Sequence, residues 1–234
     1  MSLKLYVDRI SQPSRALVIF CKVNGIEFEE VKIDLTKKQH HSPEYAEINP
    51  MKQVPAIVHD DLKLFESHTI LGYLASAFPV ADHWYPSDIR KRAKVQLVLD
   101  WHHSNLRRGS VSYIFNTLIA LAVGAPINLS AAAKGEKLML ASFTTIESFW
   151  LEEDKPFLHG SAQPSIADLS LVCEIMQLEF AEESERERLL GPHKRILKWI
   201  EDTKTATAPY FDEVHAVIAP IREKLQGLKA QLGK

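Results

Sequence analysis

Residues 49–71 constrain the fold of this chain more than any other stretch. In residues 54–58, successive side chains would alternate between the two faces of a short apolar strand. A turn follows, and residues 62–65 form a second short segment. This pattern predicts a β-hairpin with Pro55 at the start of its first strand, where a missing N–H marks an edge or a bend. Val54 would then keep an unpaired backbone N–H and C=O that can pair with an extended peptide. The sequence leaves open whether the bond between these two residues is cis.

A helix is predicted directly after this hairpin. Glu66 and Ser67 precede four apolar residues at helical spacing: Ile70, Leu71, Leu74 and Phe78. A serine at the start of a helix offers a hydroxyl and backbone N–H groups to a carboxylate. The hairpin edge and this helix start together predict a peptide-sized binding site. An ordinary turn and helix cap explain the same residues equally well.

The remaining patterns divide the chain into two parts. Residues 1–78 predict the order strand, helix, strand, short helix, strand, strand, helix, which is an α+β unit. Two prolines bracket a linker at residues 79–87, and residues 88–234 show apolar side chains at helical spacing only. We therefore expect an α+β domain, a linker and an all-α domain.

The composition excludes several classes of protein. Hydrophobic residues make up 46% of the chain and charged residues 25%, and the net charge is −2 without a basic stripe, which argues against a nucleic-acid partner. Cys21 and Cys173 are the two cysteines, and neither belongs to a Cys/His cluster, so we predict a reducing compartment and no metal site.

Residues 1–8 lack the apolar segment of a signal peptide, which favours a cytoplasmic location. Residues 109–133 carry no charge, but glycine, proline and asparagine interrupt them, so we predict no membrane span.

Several short motifs together resemble those of the glutathione transferase family. The family motifs are Ser11–Arg15, Asn49–Pro50, Gln53–Ala56, Glu66–Ser67 and Ser165–Asp168, and the resemblance covers nearly the whole chain. Within the family the chain is most similar to the theta class, on the basis of Ser11, Gln39–His40, Trp84–Pro86 and Trp101–Arg108. The resemblance implies an N-terminal thioredoxin-like domain followed by an all-α helical-bundle domain, which is the glutathione transferase fold.

The resemblance implies that Ser11 activates glutathione. In theta enzymes the matching serine donates its O–H to the glutathione sulfur, so the nucleophile is the thiolate of the co-substrate. Lowering a thiol pKa by about two units requires about 2.7 kcal/mol of preferential thiolate stabilisation. A hydroxyl hydrogen bond and a helix N-terminus can supply a free energy of that size. Two alternatives remain: Ser11 only caps the first helix, or Tyr6 donates to the sulfur as a tyrosine does in other classes.

The same resemblance assigns the rest of the glutathione site. Val54, ahead of Pro55, would pair its backbone with the cysteinyl residue of glutathione. Ser67 would take the γ-glutamyl carboxylate and Glu66 the γ-glutamyl amine. The glycyl carboxylate would be reached by two side chains, His40 and Gln53. Gln53 stands where vertebrate theta enzymes commonly have a lysine. A neutral amide makes no charge-assisted contact with the glycyl carboxylate, so we expect modest affinity for glutathione.

Arg107, Ser165 and Asp168 complete the predicted set. Arg107 matches an arginine near the active site of theta enzymes, where a cation favours the thiolate and a leaving anion; a solvated or salt-bridged surface arginine is the alternative. Ser165 and Asp168 match the helix-capping element of the family, which serves folding. Spacing places Arg107 on one helix face with Asp100, His103, Ser104 and Val111.

The resemblance implies an enzyme of the glutathione transferase type. It would conjugate glutathione to small hydrophobic electrophiles, as in detoxification, and reduce organic hydroperoxides as a glutathione peroxidase. A homodimer is implied, and the electrophile would contact the helical domain, with Val111, Phe115, Leu118 and Phe211 as candidates. The alternative is a non-catalytic ligand carrier or interaction module on the same scaffold. A thiol–disulfide enzyme is disfavoured because residues 11–14 contain no cysteine.

Overall fold

The computed structural model describes residues 2–232, and its N-terminal part is built on a four-stranded mixed sheet. The strand order is β2-β1-β3-β4, with β1 at Leu3–Val7, β2 at Glu29–Lys32, β3 at Ala56–His59 and β4 at Leu62–Phe65. β1 runs parallel to β2 and antiparallel to β3, and β3 runs antiparallel to β4. The predicted hairpin is confirmed as the β3–β4 pair, although its first strand starts one residue after Pro55.

Three helices accompany this sheet: α1 at Gln12–Val23, α2 at Pro43–Ala46 and α3 at Ser67–Ala77. Alternate residues of β1 are buried, and those side chains (Leu3, Leu5 and Val7) join α1 and α3 in the main core. Tyr6 lies on the opposite face of the sheet, beside the small cluster that contains Tyr45 of α2. Helices on both faces of this sheet confirm the predicted thioredoxin-like domain.

The remainder of the described chain is helical, as the sequence predicts. Its helices are α4 at Ile89–Ser104, α5 at Leu106–Ile114, α6 at Ala120–Ala122, α7 at Leu129–Thr145, α8 at Ile166–Ile175, α9 at Glu183–Leu190, α10 at Lys194–Ala206, α11 at Tyr210–His215 and α12 at Ile218–Leu232. The uncharged segment falls on α5, a π-helical turn at Phe115–Ile119, α6 and the start of α7. Within residues 2–232 no helix combines the length and apolar character that crossing a bilayer requires.

The predicted continuous helix face from Asp100 to Val111 is wrong, because a break separates α4 from α5. Asn105 takes φ −118° and ψ −90°, and its side-chain amide donates to the carbonyl of Trp101 at 2.9 Å. Asparagine side chains compete with the helix ladder for backbone groups, which favours a helix end at such a residue. Arg107 therefore lies in the first turn of α5, and its direction is independent of α4.

The position of α5 is fixed by a close approach to α7. A Cβ atom added at Gly109 would lie 2.6 Å from the backbone nitrogen of Met139, and one added at Gly135 would lie 2.7 Å from that of Tyr113. Such distances leave no room for a side chain, so both helices need glycine there. This contact holds the helix that carries Arg107.

Buried polar contacts join the two domains at α1 and α8. The Arg15 side chain is fully buried, and its guanidinium donates to the carbonyls of Arg9 at 3.0 Å, Ile10 at 2.9 Å and Cys173 at 3.2 Å. Cys21 and Cys173 are both fully buried, as expected for small apolar side chains, and burial raises the pKa of the Cys173 thiol to about 12. Neither thiol has the exposure or the low pKa of a reactive cysteine.

The predicted capping element is present at the start of α8. The Ser165 hydroxyl accepts from the backbone N–H groups of Ala167 and Asp168, while the Asp168 carboxylate accepts from the Ser165 backbone N–H at 2.7 Å. This reciprocal arrangement is a capping box in which aspartate replaces the usual glutamate or glutamine.

Candidate active site

Ser11 lies in the loop between β1 and α1, at the N-cap position of α1. Its hydroxyl makes no capping bond, nor any hydrogen bond to another described residue. Its backbone N–H donates to the carbonyl of Asp8 at 2.9 Å. The hydroxyl is half-buried and therefore available to a ligand. The alternative, in which this hydroxyl only caps α1, does not agree with the absence of a capping bond.

Two residues to which the sequence analysis assigned no role, Asp8 and Arg15, hold this loop. The buried Asp8 carboxylate accepts from the backbone N–H groups of Ile10 and Leu35, each at 3.0 Å. Arg15 binds the carbonyls of the two residues that precede Ser11 in the loop. These side chains bind both N–H and C=O groups of the backbone next to Ser11, and they support the loop that presents it.

Val54 presents its backbone as predicted. The Val54–Pro55 bond is cis, and the N–H and C=O of Val54 make no hydrogen bond within residues 2–232. The preceding carbonyl, that of Gln53, accepts from the Tyr45 hydroxyl at 2.6 Å and from the Asn49 side-chain amide at 2.7 Å. These two bonds orient the peptide that leads into Val54.

Glu66 and Ser67 form the start of α3. Glu66 is the N-cap residue, with φ 69° and ψ 107°, and Ser67 is the first helical residue. A non-glycine residue at positive φ is uncommon, and such strain concentrates at ligand sites. The Ser67 hydroxyl makes no hydrogen bond to another described residue, and it lies beside the unpaired N–H groups that begin a helix. An anion is therefore favoured at this point.

These elements meet in one cleft of about 180 Å³. Its lining residues come from both domains: Pro13, Asn49, Gln53, Val54, Pro55, Glu66, Ser67, His103 and Arg107. The cleft thus brings together five of the predicted glutathione-binding residues and Arg107. Ser11 and His40 do not line it, although Ser11 lies two residues from Pro13. Tyr6 does not line it either, and its ring lies 6.3 Å from that of Tyr45.

His40 lies in a short turn, Gln39–His41, outside the cleft wall. Its ring lies 4.1 Å from the ring of His41, centroid to centroid. Burial and the neighbouring His41 lower the pKa of His40. A neutral imidazole at this position can hydrogen-bond a carboxylate but offers no full charge.

Arg107 is held by a buried carboxylate. Its Nη1 atom donates to Oε2 of Glu174 at 2.8 Å, and Glu174 is fully buried on α8. Burial alone raises the pKa of Glu174, but the Arg107 charge and several hydrogen bonds lower that pKa to about 2. The salt bridge named as the alternative for Arg107 is therefore present, and the same residue lines the cleft, where its functional role stays a prediction.

Three histidines lie close to this network: His103 lines the cleft, whereas His68 and His102 do not. His102 is buried, as predicted for a core histidine, and its Nδ1 atom lies 3.1 Å from Nε2 of His68. Burial, together with the charges of the neighbouring histidines, lowers the pKa of His68 to about 2. The His103 ring lies at 45° to the His68 ring, with 4.4 Å between the ring centroids. In the part of the chain that the structure describes, no group of three or more His, Cys, Asp or Glu side chains is arranged to hold a metal ion.

The four candidates for the electrophile pocket do not line this cleft. Phe211 is a core residue: its ring is 2% exposed and stacks on His215 with 4.2 Å between centroids. Val111 and Phe115 are partly exposed on α5 and on the turn that follows it. The assignment of these residues to the electrophile pocket followed from the resemblance, and it stays a prediction.

The chain is similar to known proteins over nearly its whole length. Residues 1–76 match the model of the glutathione S-transferase N-terminal domain. The chain is 58% identical to glutathione S-transferase T1 of Arabidopsis thaliana, over 97% of this chain and 93% of that protein. The chain belongs to the glutathione transferase family. Glutathione S-transferase T2 of the same plant is 56% identical over 97% of this chain, which corresponds to 38% of that longer protein.

A solved structure places the chain in the theta class of this family. The human theta-class glutathione transferase, in complex with the glutathione conjugate of 1-menaphthyl sulfate, is 33% identical and superposes with a TM-score of 0.88. The match covers 97% of this chain and 91% of the human chain. The fold predicted from the sequence motifs is therefore the fold of this glutathione transferase.

Proposed function

We propose that this glutathione transferase binds glutathione in the cleft and conjugates its thiolate to small hydrophobic electrophiles. The observation that carries the proposal is the cleft itself. It combines the unpaired backbone of Val54, the N-terminal end of α3 at Ser67 and the guanidinium of Arg107. A tripeptide with a free carboxylate and a thiol matches these three features.

Each part of glutathione has a partner of suitable chemistry. The γ-glutamyl carboxylate would accept from Ser67 and the N–H groups of α3, and the γ-glutamyl amine would bind the Glu66 carboxylate. The cysteinyl backbone would pair with Val54. The glycyl carboxylate would be reached by Gln53 and by His40. Because both are neutral donors, we expect modest affinity for the tripeptide.

Ser11 and Arg107 would carry out the chemistry. The free Ser11 hydroxyl donates to the thiolate and lowers the thiol pKa, while Arg107 stabilises negative charge on sulfur or on a leaving group. The thiolate attacks an electrophilic carbon, and the leaving group departs with the bonding electron pair. With an organic hydroperoxide, the thiolate attacks the terminal oxygen and the O–O bond breaks, which gives the sulfenic acid of glutathione and an alkoxide that takes a proton from water to form the alcohol. A second glutathione then reduces the sulfenic acid, which yields glutathione disulfide and water.

A substrate panel tests this function. The purified protein is assayed with glutathione and an alkyl halide, an isothiocyanate or cumene hydroperoxide, and glutathione binding is measured by calorimetry. We expect binding together with turnover of at least one substrate of each reaction type. Binding without any turnover would instead indicate the non-catalytic carrier, and absence of binding would refute the proposal. The homodimer and the cytoplasmic location that the resemblance implies stay predictions.

We expect Ser67→Ala to weaken glutathione binding about tenfold or more. The substitution removes a hydrogen bond to a charged carboxylate, and such bonds contribute about 1.5–3 kcal/mol. Calorimetric titration with glutathione measures the change. Ser76→Ala is the matched control, because the exposed Ser76 hydroxyl of the same helix bonds only the carbonyl of Gly72 at 2.8 Å. Equal dissociation constants for both variants would contradict the assignment of Ser67.

A further inference from the structure

The Glu174 carboxylate is the most highly coordinated buried charge near the cleft. Its Oε2 atom accepts from Arg107 at 2.8 Å, and its Oε1 atom accepts from the Gln12 amide at 3.1 Å. Oε1 also accepts from the Ser110 hydroxyl and the Gln177 amide. Its Oε2 atom also lies 3.6 Å from Nε2 of the buried His102. Glu174 is fully buried and does not line the cleft, so it can affect a bound ligand only through its neighbours.

The partners of Glu174 stand on both sides of the reaction centre. Gln12 follows Ser11 directly and is the first residue of α1, in the thioredoxin-like domain. Arg107 and Ser110 belong to α5, in the helical domain. One carboxylate on α8 therefore ties the start of α1 to α5, and the spacing between Ser11 and Arg107 depends on that tie.

Glu174 is the anchor of Arg107 among the described residues. The contact to Glu174 is the single ion pair that Arg107 makes in residues 2–232, and the Arg107 side chain is 33% exposed on its other side. A guanidinium has five N–H donors in a rigid plane, so fixing Nη1 also fixes the direction in which the remaining donors point. Without the anchor, a long, partly exposed arginine would populate several rotamers.

Stability alone gives little reason for this arrangement. A buried ion pair is often no more stabilising than apolar side chains of similar volume, because two charges lose their hydration. Here the carboxylate accepts four hydrogen bonds, and one of them comes from Arg107, which lines the cleft. An arrangement that precise is suited to orienting a charge, where a displacement of about 1 Å can change a rate about 100-fold.

We propose that Glu174 is a positioning residue of the transferase reaction, which holds the Arg107 guanidinium at the cleft and fixes its distance from Ser11. This role rests on the proposed function, since it concerns the charge that Arg107 offers to the sulfur or the leaving group. Glu174 itself touches neither glutathione nor the electrophile.

A double-mutant cycle between Glu174 and Arg107 tests this role. Glu174→Gln preserves the size of the side chain but removes the charge that anchors Arg107. We expect kcat for conjugation to fall about tenfold, while KM for glutathione changes less than about threefold, because Val54, Glu66 and Ser67 are untouched. In the Arg107→Gln background, the same Glu174→Gln change should lower kcat less than about twofold.

The matched control is Glu147→Gln. Glu147 is a partly buried carboxylate of the helical domain that binds His193 at 2.7 Å and the Arg195 backbone N–H at 3.0 Å, away from the cleft. Its loss should change thermal stability without changing kcat. If Glu174→Gln lowers stability as this control does and leaves kcat within twofold of wild type, the positioning role is wrong. An undiminished kcat loss in the Arg107→Gln background would also overturn it.

Two further measurements keep the test decisive. Should Glu174→Gln fail to fold, Glu174→Asp keeps the charge but retracts it, and the same split between kcat and KM is expected. If the wild-type protein turns over no substrate, the proposed function fails. The anchoring of Arg107 is then judged by NMR from its Nε–H resonance, which is identified by its loss in the Arg107→Gln variant. That resonance should be sharp in wild type and broadened in Glu174→Gln, and an identical resonance in both would refute the anchoring.

Discussion

Replacing Ser11 with alanine is expected to lower kcat/KM for conjugation about 100-fold at neutral pH. The hydroxyl is free of other hydrogen bonds in the described chain, so its whole donor capacity is available to the glutathione sulfur. A tenfold change in rate corresponds to about 1.4 kcal/mol, and a hydrogen bond to a charged acceptor contributes about 1.5–3 kcal/mol. Removal of the donor therefore accounts for a loss of about this size.

The pH dependence separates this explanation from a general loss of structure. Without the Ser11 hydroxyl, the pKa of the bound thiol should rise toward its usual value of about 8.5, so less thiolate forms at neutral pH. Raising the pH restores the thiolate, and the deficit of the Ser11→Ala variant should shrink as the pH increases. The measurement is the pH profile of kcat/KM for wild type and variant with one alkyl halide.

Two control substitutions complete the Ser11 experiment. Ser76→Ala removes an exposed hydroxyl on α3 and should leave the rate unchanged. Tyr6→Phe tests the competing donor, whose ring lies beside Tyr45 and outside the cleft wall, and its rate should stay within about twofold of wild type. If Tyr6→Phe lost activity and Ser11→Ala kept it, the roles of these two residues would be exchanged.

The local elements of the fold were predictable because their signals are local. The hairpin was recognisable from an alternating segment, a turn and a second segment within 12 residues, and it is present as β3 and β4. The capping box at Ser165 was recognisable from four consecutive residues. In both cases the hydrogen bonds that define the element join residues close in sequence, so their spacing carries the information.

The second layer of the candidate site was not predictable in this way. Glu174 is 67 positions from Arg107 and 162 positions from Gln12, and nothing in the short motif around Glu174 indicates these partners. Arg15 and Asp8 belong to recognised or neighbouring segments, but their bonds to loop carbonyls and N–H groups follow from tertiary packing. The available signal for Glu174 was a charged residue among the apolar side chains near the end of α8, since such residues are rarely buried without partners.

The break between α4 and α5 shows how periodicity misleads. Helical spacing continues through Asn105, and the pattern alone therefore joins the two helices into one. The side chain of Asn105 bonds the carbonyl of Trp101 instead, and the chain turns at that point. His103 and Arg107 both line the cleft, but His103 belongs to α4 and Arg107 to α5.

The largest loss of stability is expected from Asp168→Ala. This fully buried carboxylate accepts at Oδ1 from the Leu158 backbone N–H and the Trp199 indole N–H, each at 2.9 Å. At Oδ2 it accepts from the backbone N–H and the hydroxyl of Ser165, each at 2.7 Å. Alanine would leave three buried N–H groups without an acceptor, and each such group costs about 1–3 kcal/mol.

We expect the free energy of unfolding of the Asp168→Ala variant to fall by about 3–5 kcal/mol, which corresponds to a decrease in Tm of about 10 °C or more. Thermal and urea unfolding followed by circular dichroism measure the change. Asp202→Ala is the matched control, because among the described residues that carboxylate pairs only with Lys198, four residues earlier on α10, and a surface pair contributes at most about 1 kcal/mol. A loss below about 1 kcal/mol for Asp168→Ala would contradict its folding role.

The same role requires that kcat per folded molecule stay unchanged, because Asp168 touches neither the cleft nor the network around Glu174. A large fall in kcat at a temperature where the variant is fully folded would instead show that the contacts of Asp168 at the start of α8 affect the site.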